Sequence, residues 1–223
     1  MATNMYIFGI WVSMSSVVYF FLRIFACLVE SFGKLFGHTT QLMLHLYQKS
    51  KILRLGLDPG GIVFIGYVQL GLEKGCRISI GENFRVFSGK SVGITTDAQS
   101  KIIVQSSGSL KIGNQVGITN TSIVCTDSIS IGDYTIIGAG SLIIDSNFHD
   151  VNWEARRIRL GVDTAVHRPV VIGEDCFIGA RCIICKGVTI GARSVVAAGS
   201  VVVSDIPAGE IWGGNPAKFI GKA

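Results

Sequence analysis

A period of six residues governs the second half of the chain. Residues 172–207 read IGEDCF, IGARCI, ICKGVT, IGARSV, VAAGSV, VVSDIP, with a branched aliphatic at Ile172, Ile178, Ile184, Ile190, Val196 and Val202. The next position is mostly glycine or alanine (Gly173, Gly179, Gly191, Ala197). A small or aliphatic residue follows four places after each aliphatic: Cys176, Cys182, Val188, Ser194, Ser200 and Ile206. A helix repeats every 3.6 residues and a strand every two, so neither asks for six. A coiled stack of short parallel strands does. The aliphatic fills the interior at each corner, and glycine is expected there to let the backbone turn.

The period extends backwards in weaker form. Ile62, Val68, Ile80, Val86 and Val92 fall on multiples of six with Lys74 in the missing place, as relaxed units near the end of an array would. It sharpens at Ile112, Ile118 and Val124, shifts by one residue, and continues at Ile131, Ile137 and Ile143. One long break then intervenes before Ile172. A segment that interrupts a strict repeat must leave the stack as a loop, so residues 145–170 are expected outside it, where rigid scaffolds carry function. After about residue 207 the period is lost, and an extended tail with turns at Gly213-Gly214 and Asn215-Pro216 is expected. The β-helix domain is expected over residues 56–223, with a DPGG turn at residues 58–61 near its start.

The first 55 residues differ in kind. Residues 5–22 carry no charge, and no Lys or Arg precedes them, which argues against a secretory signal. The expectation is a hydrophobic helical segment that either associates with a membrane or packs against the protein or a sister subunit. Arg23, Lys34, Lys49, Lys51 and Arg54 follow it and would keep the main domain on the cytoplasmic side, at the inner membrane face if the segment is an anchor. Only 16% of residues are charged, the formal net charge is +5, and no basic run occurs, so nucleic acid is not an expected partner. Cys176 and Cys182 sit in the small interior position. They read as buried thiols in a reducing compartment rather than as metal ligands, and no metal is expected.

Nearly all chemically useful side chains fall in the break: Asp145, Asn147, His149, Asp150, Trp153, Glu154, Arg156, Arg157, Asp163 and His167. A histidine among carboxylates can serve as general base near neutral pH. No glycine-flanked serine elbow and no GxxxxGK[ST] phosphate loop is present. Asp145 and Asp150 as a glycosidase pair remain open, because their separation is not legible in sequence.

The repeat, the loop opening DSNFH, the return PVVIGEDCFIGARCIICKGVTIGARSVVAAGSVVVSDIPAGEI and the ending GGNPAK together resemble the hexapeptide-repeat acyltransferases, specifically the sugar and polysaccharide O-acetyltransferase branch. The resemblance covers roughly residues 78–222 and leaves the first ~55 outside it. It implies an all-β fold, a left-handed parallel β-helix with three hexapeptides per coil, and a homotrimer with acetyl-CoA and a glycan acceptor bound between subunits. By this resemblance His149 matches the catalytic base, and Asn120 matches a residue facing the acceptor from the adjoining subunit. Ala180 and Ala198 match positions along the pantetheine arm, Val203 a coenzyme position where threonine can occur, and Lys218 a partner for coenzyme phosphates. Asp145 or Asn147 is expected to orient His149 or touch the acceptor, as Trp153, Arg156 and Arg157 are.

The implied reaction is acetyl transfer from acetyl-CoA to a sugar hydroxyl in surface-polysaccharide synthesis. An N-acetyltransferase on a nucleotide-sugar amine, transfer to serine or an antibiotic, and a non-catalytic β-helix scaffold are the alternatives. A trimeric β-helix metal hydrase would need three histidines per interfacial site, and only His149 and His167 lie within the repeat region.

Overall fold

The computed structural model describes residues 4–7, 10–13, 43, 46–50, 52–53, 61–89, 99–158 and 165–223. The chain divides into two compact units, Met1–Leu46 and Tyr47–Ala223. In the first, Asn4–Ile7 and Ile10–Ser13 pair as an antiparallel hairpin. A helix is expected there from composition; β-branched and aromatic residues in this stretch (Tyr6, Ile7, Ile10, Trp11, Val12) suit a strand equally well. The rest of residues 5–22 lies outside the described residues. Among those described, no helix is long and apolar enough to cross a membrane.

The second unit is a prism of three parallel sheets wound as a left-handed β-helix. The first face stacks Ile62–Ile65, Phe84–Phe87, Gly117–Thr119, Ile136–Ile137, Phe177–Ile178 and Val195–Val196. The second stacks Gln69–Leu72, Lys101–Val104, Ser122–Cys125, Leu142–Ile144, Ile183–Ile184 and Val201–Val202. The third stacks Arg77–Ile80, Ser109–Ile112, Ser128–Ile131, Val170–Ile172 and Thr189–Ile190. Parallel crossovers are usually right-handed because strand twist selects that hand. Strands of two to four residues accumulate little twist, so that preference has little to act on here.

Each interior column is one of the sequence's aliphatic series. Val86, Ile118, Ile137, Ile178 and Val196 align on the first face, Ile102, Ile123, Ile143, Ile184 and Val202 on the second, and Ile112, Ile131, Ile172 and Ile190 on the third, all fully buried or nearly so. Two positions differ from the strict period. Val124 faces outward and Ile123 and Cys125 face in, because the register aligns Ile123 with the interior residues Ile102 and Ile143. On the same face Leu70 holds the place that Lys74 leaves empty in the period. The amino-terminal end of the core is covered by the helical residues 47–50 and 52–53, with Ile52 set among Phe64, Leu70, Leu72 and Ile102. At the other end the tail Glu210–Gly214 extends the first face, and Ala217–Lys222 turns back antiparallel on it.

The corner glycines have a different task from the one expected. Gly138, Gly173 and Gly179 do not have positive φ. A Cβ on Gly179 would lie 2.5 Å from the amide nitrogen of Ala198, and one on Gly138 or Gly173 would lie 2.6 Å from that of Ala180 or Ala192. Glycine is required because the next coil's backbone occupies the Cβ position. The left-handed turn falls two residues later, on Asp175, Arg181 and Arg193 as well as on Gly140 and Gly199.

The small interior position also does more than pack. Thr135 Oγ1 donates to the carbonyl of Gly173 (2.8 Å) and Ser141 Oγ to that of Gly179 (3.0 Å). Cys176 Sγ and Cys182 Sγ lie 3.2 Å from the carbonyls of Gly191 and Ala197 in the same arrangement. The thiols thus replace hydroxyls as cross-coil donors.

The two glycine classes predict opposite outcomes. Gly179→Ala should cost about 1–3 kcal/mol through overpacking against the next coil. Gly199→Asn, with open space around the site and a left-handed φ that asparagine tolerates, should cost under about 1 kcal/mol. Denaturant titration of the two variants checks this.

Candidate active site

The three edges of the prism are unequal. The first edge, between the first and second faces, carries a column of Asn120, Ala139, Ala180 and Ala198, linked by bonds from the N–H groups of Gly140, Arg181 and Gly199 to the carbonyls of Asn120, Ala139 and Ala180. The second edge, between the second and third faces, is where the chain departs after Ile144 and returns at Val170. The third carries ordinary turns, tied by Asn114 and Asp133 side chains that accept from amides of the neighbouring coil.

The departing segment has a closed neck. Arg168 N–H donates to the Asp145 carbonyl (2.9 Å), Ser146 pairs with His167 as an antiparallel bridge, and Asn147 N–H donates to Val166 O (3.3 Å). Ser146 Oγ accepts from the Phe148 N–H (2.8 Å), and Phe148 takes a left-handed φ of 60°. This turn delivers His149 to an exposed position just outside the neck. Asp150 Oδ1 then accepts from Asn152 N–H (2.7 Å), and Asn152 Oδ1 caps the helix Trp153–Ile158 by accepting from Glu154 N–H (2.7 Å). Arg156 Nη1 donates back to the carbonyls of Asp150 (2.8 Å) and Val151 (2.6 Å). The loop that carries His149 is therefore tied to its own helix. Residue 163 lies outside the described residues.

Several side chains expected at an acceptor have other occupations. Asp145 is fully buried and turned into the preceding coil. Its carboxylate accepts from Thr126 N–H (2.8 and 3.0 Å) and Asp127 N–H (2.8 Å), so it is directed away from His149 and from solvent. Asn120 is 2% exposed; its Oδ1 accepts from Gly89 N–H (2.8 Å) and its Nδ2 donates to Gly89 O (3.2 Å). Arg156 spends its guanidinium on loop carbonyls. Trp153 and Arg157 do face outward as a stacked pair, the guanidinium 4.9 Å from the ring centroid. Asn147 is half-buried in the neck, through its backbone.

The coenzyme positions separate into two groups. Ala180 (half-buried) and Ala198 (exposed) share the first edge. The tail crosses the same edge, since Ala197 N–H donates to Trp212 O and Gly214 N–H to Ser200 Oγ, and Lys218 pairs with Gly213 in its hairpin. Lys218 is exposed there. Val203 is exposed on the second edge, after Val201–Val202. Within one chain the first-edge column and the His149 excursion lie on opposite sides of the second face. Among the described residues no His, Cys, Asp or Glu group could hold a metal ion.

Sequence reasoning missed Thr126, Asp127 and Cys125, which form the floor beneath the excursion. Their only sequence signal is the shift of frame after Val124. Burial, and then the adjacent Asp145 carboxylate, push the Cys125 thiol up to about 12 from an ordinary value of 9.0. A pKa raised by folding gives stability that is complete below pH 9 and lost as pH climbs towards 12. Cys125→Ala should therefore weaken the alkaline loss of stability between these limits, and native Cys125 should resist thiol reagents at pH 8.5. Denaturant melts against pH and mass-resolved alkylation test both.

Residues 169–204 match a family model described as the hexapeptide repeat of succinyl-transferase. A 2,3,4,5-tetrahydropyridine-2,6-dicarboxylate N-acetyltransferase of Clostridium perfringens is 50% identical over 52 residues, 23% of this chain and 22% of that protein. Its namesake in Staphylococcus aureus is 47% identical over 55 residues, 25% and 23% of the two chains. This chain thus spans under a quarter of the length of the curated relatives it matches. The N-acyltransferase AntD of Bacillus cereus, solved with dTDP-4-amino-4,6-dideoxyglucose and coenzyme A, superposes with a TM-score of 0.53 at 18% identity over 78% of this chain and 88% of that one. By its repeat and its fold the chain is a hexapeptide-repeat protein, built as a left-handed parallel β-helix of the kind found in the hexapeptide-repeat acyltransferases.

Proposed function

We propose that the protein is an acetyl-CoA-dependent O-acetyltransferase acting on a sugar hydroxyl of a surface polysaccharide, with His149 as general base. The observation that carries this reading is the departure of the chain on the second edge, which holds His149 exposed on a tied loop beside a smooth coil wall. A thioester already has a good leaving group. The protein needs only to take the proton from the acceptor hydroxyl and hold donor and acceptor in line, which a rigid stack with a fixed histidine does. The hydroxyl oxygen attacks the thioester carbonyl, its proton passes to the His149 imidazole, and the thiolate of the coenzyme leaves and is protonated.

The coenzyme lies along the first-edge column, where Ala180 and Ala198 present backbone at close approach and Lys218 supplies a cation for its phosphates. Val203 adds an apolar contact from the second edge. Because that column and His149 lie on opposite sides of the second face in one chain, a complete site takes the first edge of one subunit and the second edge of another. The outward side of the intervening face supports this assembly: above Gln69, Lys101 and Ser122 it is lined by Ile103, Val124, Leu142, Ile144, Ile183 and Val201, whereas the third face presents Arg77, Ser79, Lys111 and Ser130 beside Val171. The assembly is a homotrimer, and the acceptor meets the exposed Trp153 and Arg157. A cytoplasmic location, at the membrane face if residues 5–22 anchor there, fits a glycan precursor as acceptor. N-acylation of an amino sugar is the second reading, favoured by the amino-sugar nucleotide and coenzyme A bound to AntD on the same fold.

His149→Ala should lower acetyl transfer by about 10²–10⁴-fold while leaving thermal stabilisation by acetyl-CoA intact. Coenzyme release with a panel of sugars and amino sugars, and the site of acetylation by mass spectrometry, test the reaction and decide between oxygen and nitrogen. Absence of both transfer and acetyl-CoA stabilisation in the wild type overturns it. Ile183→Glu should reduce the assembly to monomers by sedimentation and abolish transfer with them.

A further inference from the structure

We propose that Asp145 is a positioning residue, which sets His149 by clamping the neck of the excursion to the coil beneath through backbone amides. On the second edge the N–H following each strand normally donates to the carbonyl of the aligned residue on the next coil. Gln105 N–H binds Cys125 O in this way, and Cys185 N–H binds Val202 O. By the same register Thr126 N–H would bind the Asp145 carbonyl, since Val124 aligns with Ile144. It does not, because that carbonyl accepts instead from Arg168 N–H on the returning limb. The Asp145 carboxylate takes the vacated place, accepting from Thr126 N–H at 2.8 and 3.0 Å and from Asp127 N–H at 2.8 Å.

One residue thus completes two ladders. Its side chain closes the coil below, and its backbone closes the neck above. The neck fixes Ser146, Ser146 Oγ accepts from Phe148 N–H, and His149 follows. Two amides need two acceptor oxygens here: in Asp145→Asn one oxygen becomes an NH2 that faces an N–H donor, which leaves that buried amide unpaired or draws the Asp145 carbonyl back to it, opening the neck. Asp145 is fully buried, and apart from the neighbouring Cys125 thiol its carboxylate meets backbone amides, so it reaches His149 through the backbone.

The catalytic consequence rests on the acyltransferase reading; the clamp itself does not. The test compares the full-length wild type with Asp145→Asn and with Thr135→Ala. Thr135 is an equally buried cross-coil clamp, donating to Gly173 O and accepting from Cys176 N–H, on the third edge away from the excursion. Amide hydrogen exchange at residues 147–150 should quicken at least tenfold in Asp145→Asn and stay unchanged in Thr135→Ala. In the same Asp145→Asn protein kcat should fall about tenfold or more from misplacement of the base, with KM for acetyl-CoA within about twofold of wild type. The acidic midpoint of the pH–rate profile should not move, as expected if Asp145 never contacts the imidazole.

Unchanged exchange at residues 147–150 overturns the clamp. A shifted acidic midpoint overturns action through the backbone in favour of direct contact with His149. If the wild type transfers no acetyl group to any acceptor, the acyltransferase reading fails, while the exchange comparison still decides the clamp. Should Asp145→Asn not fold, the smaller acceptor in Asp145→Ser replaces it, with the same expected and overturning results.

Discussion

The close approach of successive coils at the edges is the constraint on which the rest depends. The backbone of each coil lies where a Cβ on the glycine below would stand, as at Gly138 beneath Ala180 and Gly179 beneath Ala198. That approach holds the coils in register, so the aliphatics form continuous columns and the small residues reach the next carbonyl. Remove the approach at one edge and the local hydrogen bonding must be rebuilt by side chains. The second edge shows this where the chain leaves the stack, and there a carboxylate and a serine hydroxyl replace what the ladder no longer supplies.

Much of this was legible in residue order. The six-residue period names the interior columns, and its longest failure marks the excursion bearing His149. What was not legible has a physical cause. Val124 and Ile123 are interchangeable to a composition-based reading, and only the register with the neighbouring coils decides which of them points inward. Asp145 and Asn120 have the side chains of substrate ligands, but their partners are backbone amides brought close by the winding of the coil. A period cannot show that. The glycines were found correctly and given the wrong reason, since a missing Cβ and a positive φ leave the same letter in a sequence.

The separation of chemistry from scaffold follows from the inequality of the edges. Regular turns make the third edge self-sufficient and polar. The first is lined by small residues and presents backbone. The second bears the one described segment held away from the stack by its own capped helix. A fold that repeats itself along one axis can carry local departures of this kind without propagating strain, because each coil contacts only its neighbours.

The returning strand Ala217–Lys222 has a consequence for the whole particle. A parallel ladder has no inherent length, and the last coil of a β-helix offers the same open row of donors and acceptors that its predecessors used. By reversing direction on Glu210–Gly214, the chain closes its first face with a strand of opposite polarity, on which Lys218 is exposed and Lys222 is paired with Glu210 (2.7 Å). A second molecule finds no template there for end-to-end growth. The turn at Asn215-Pro216 is in this sense a terminator of the first face.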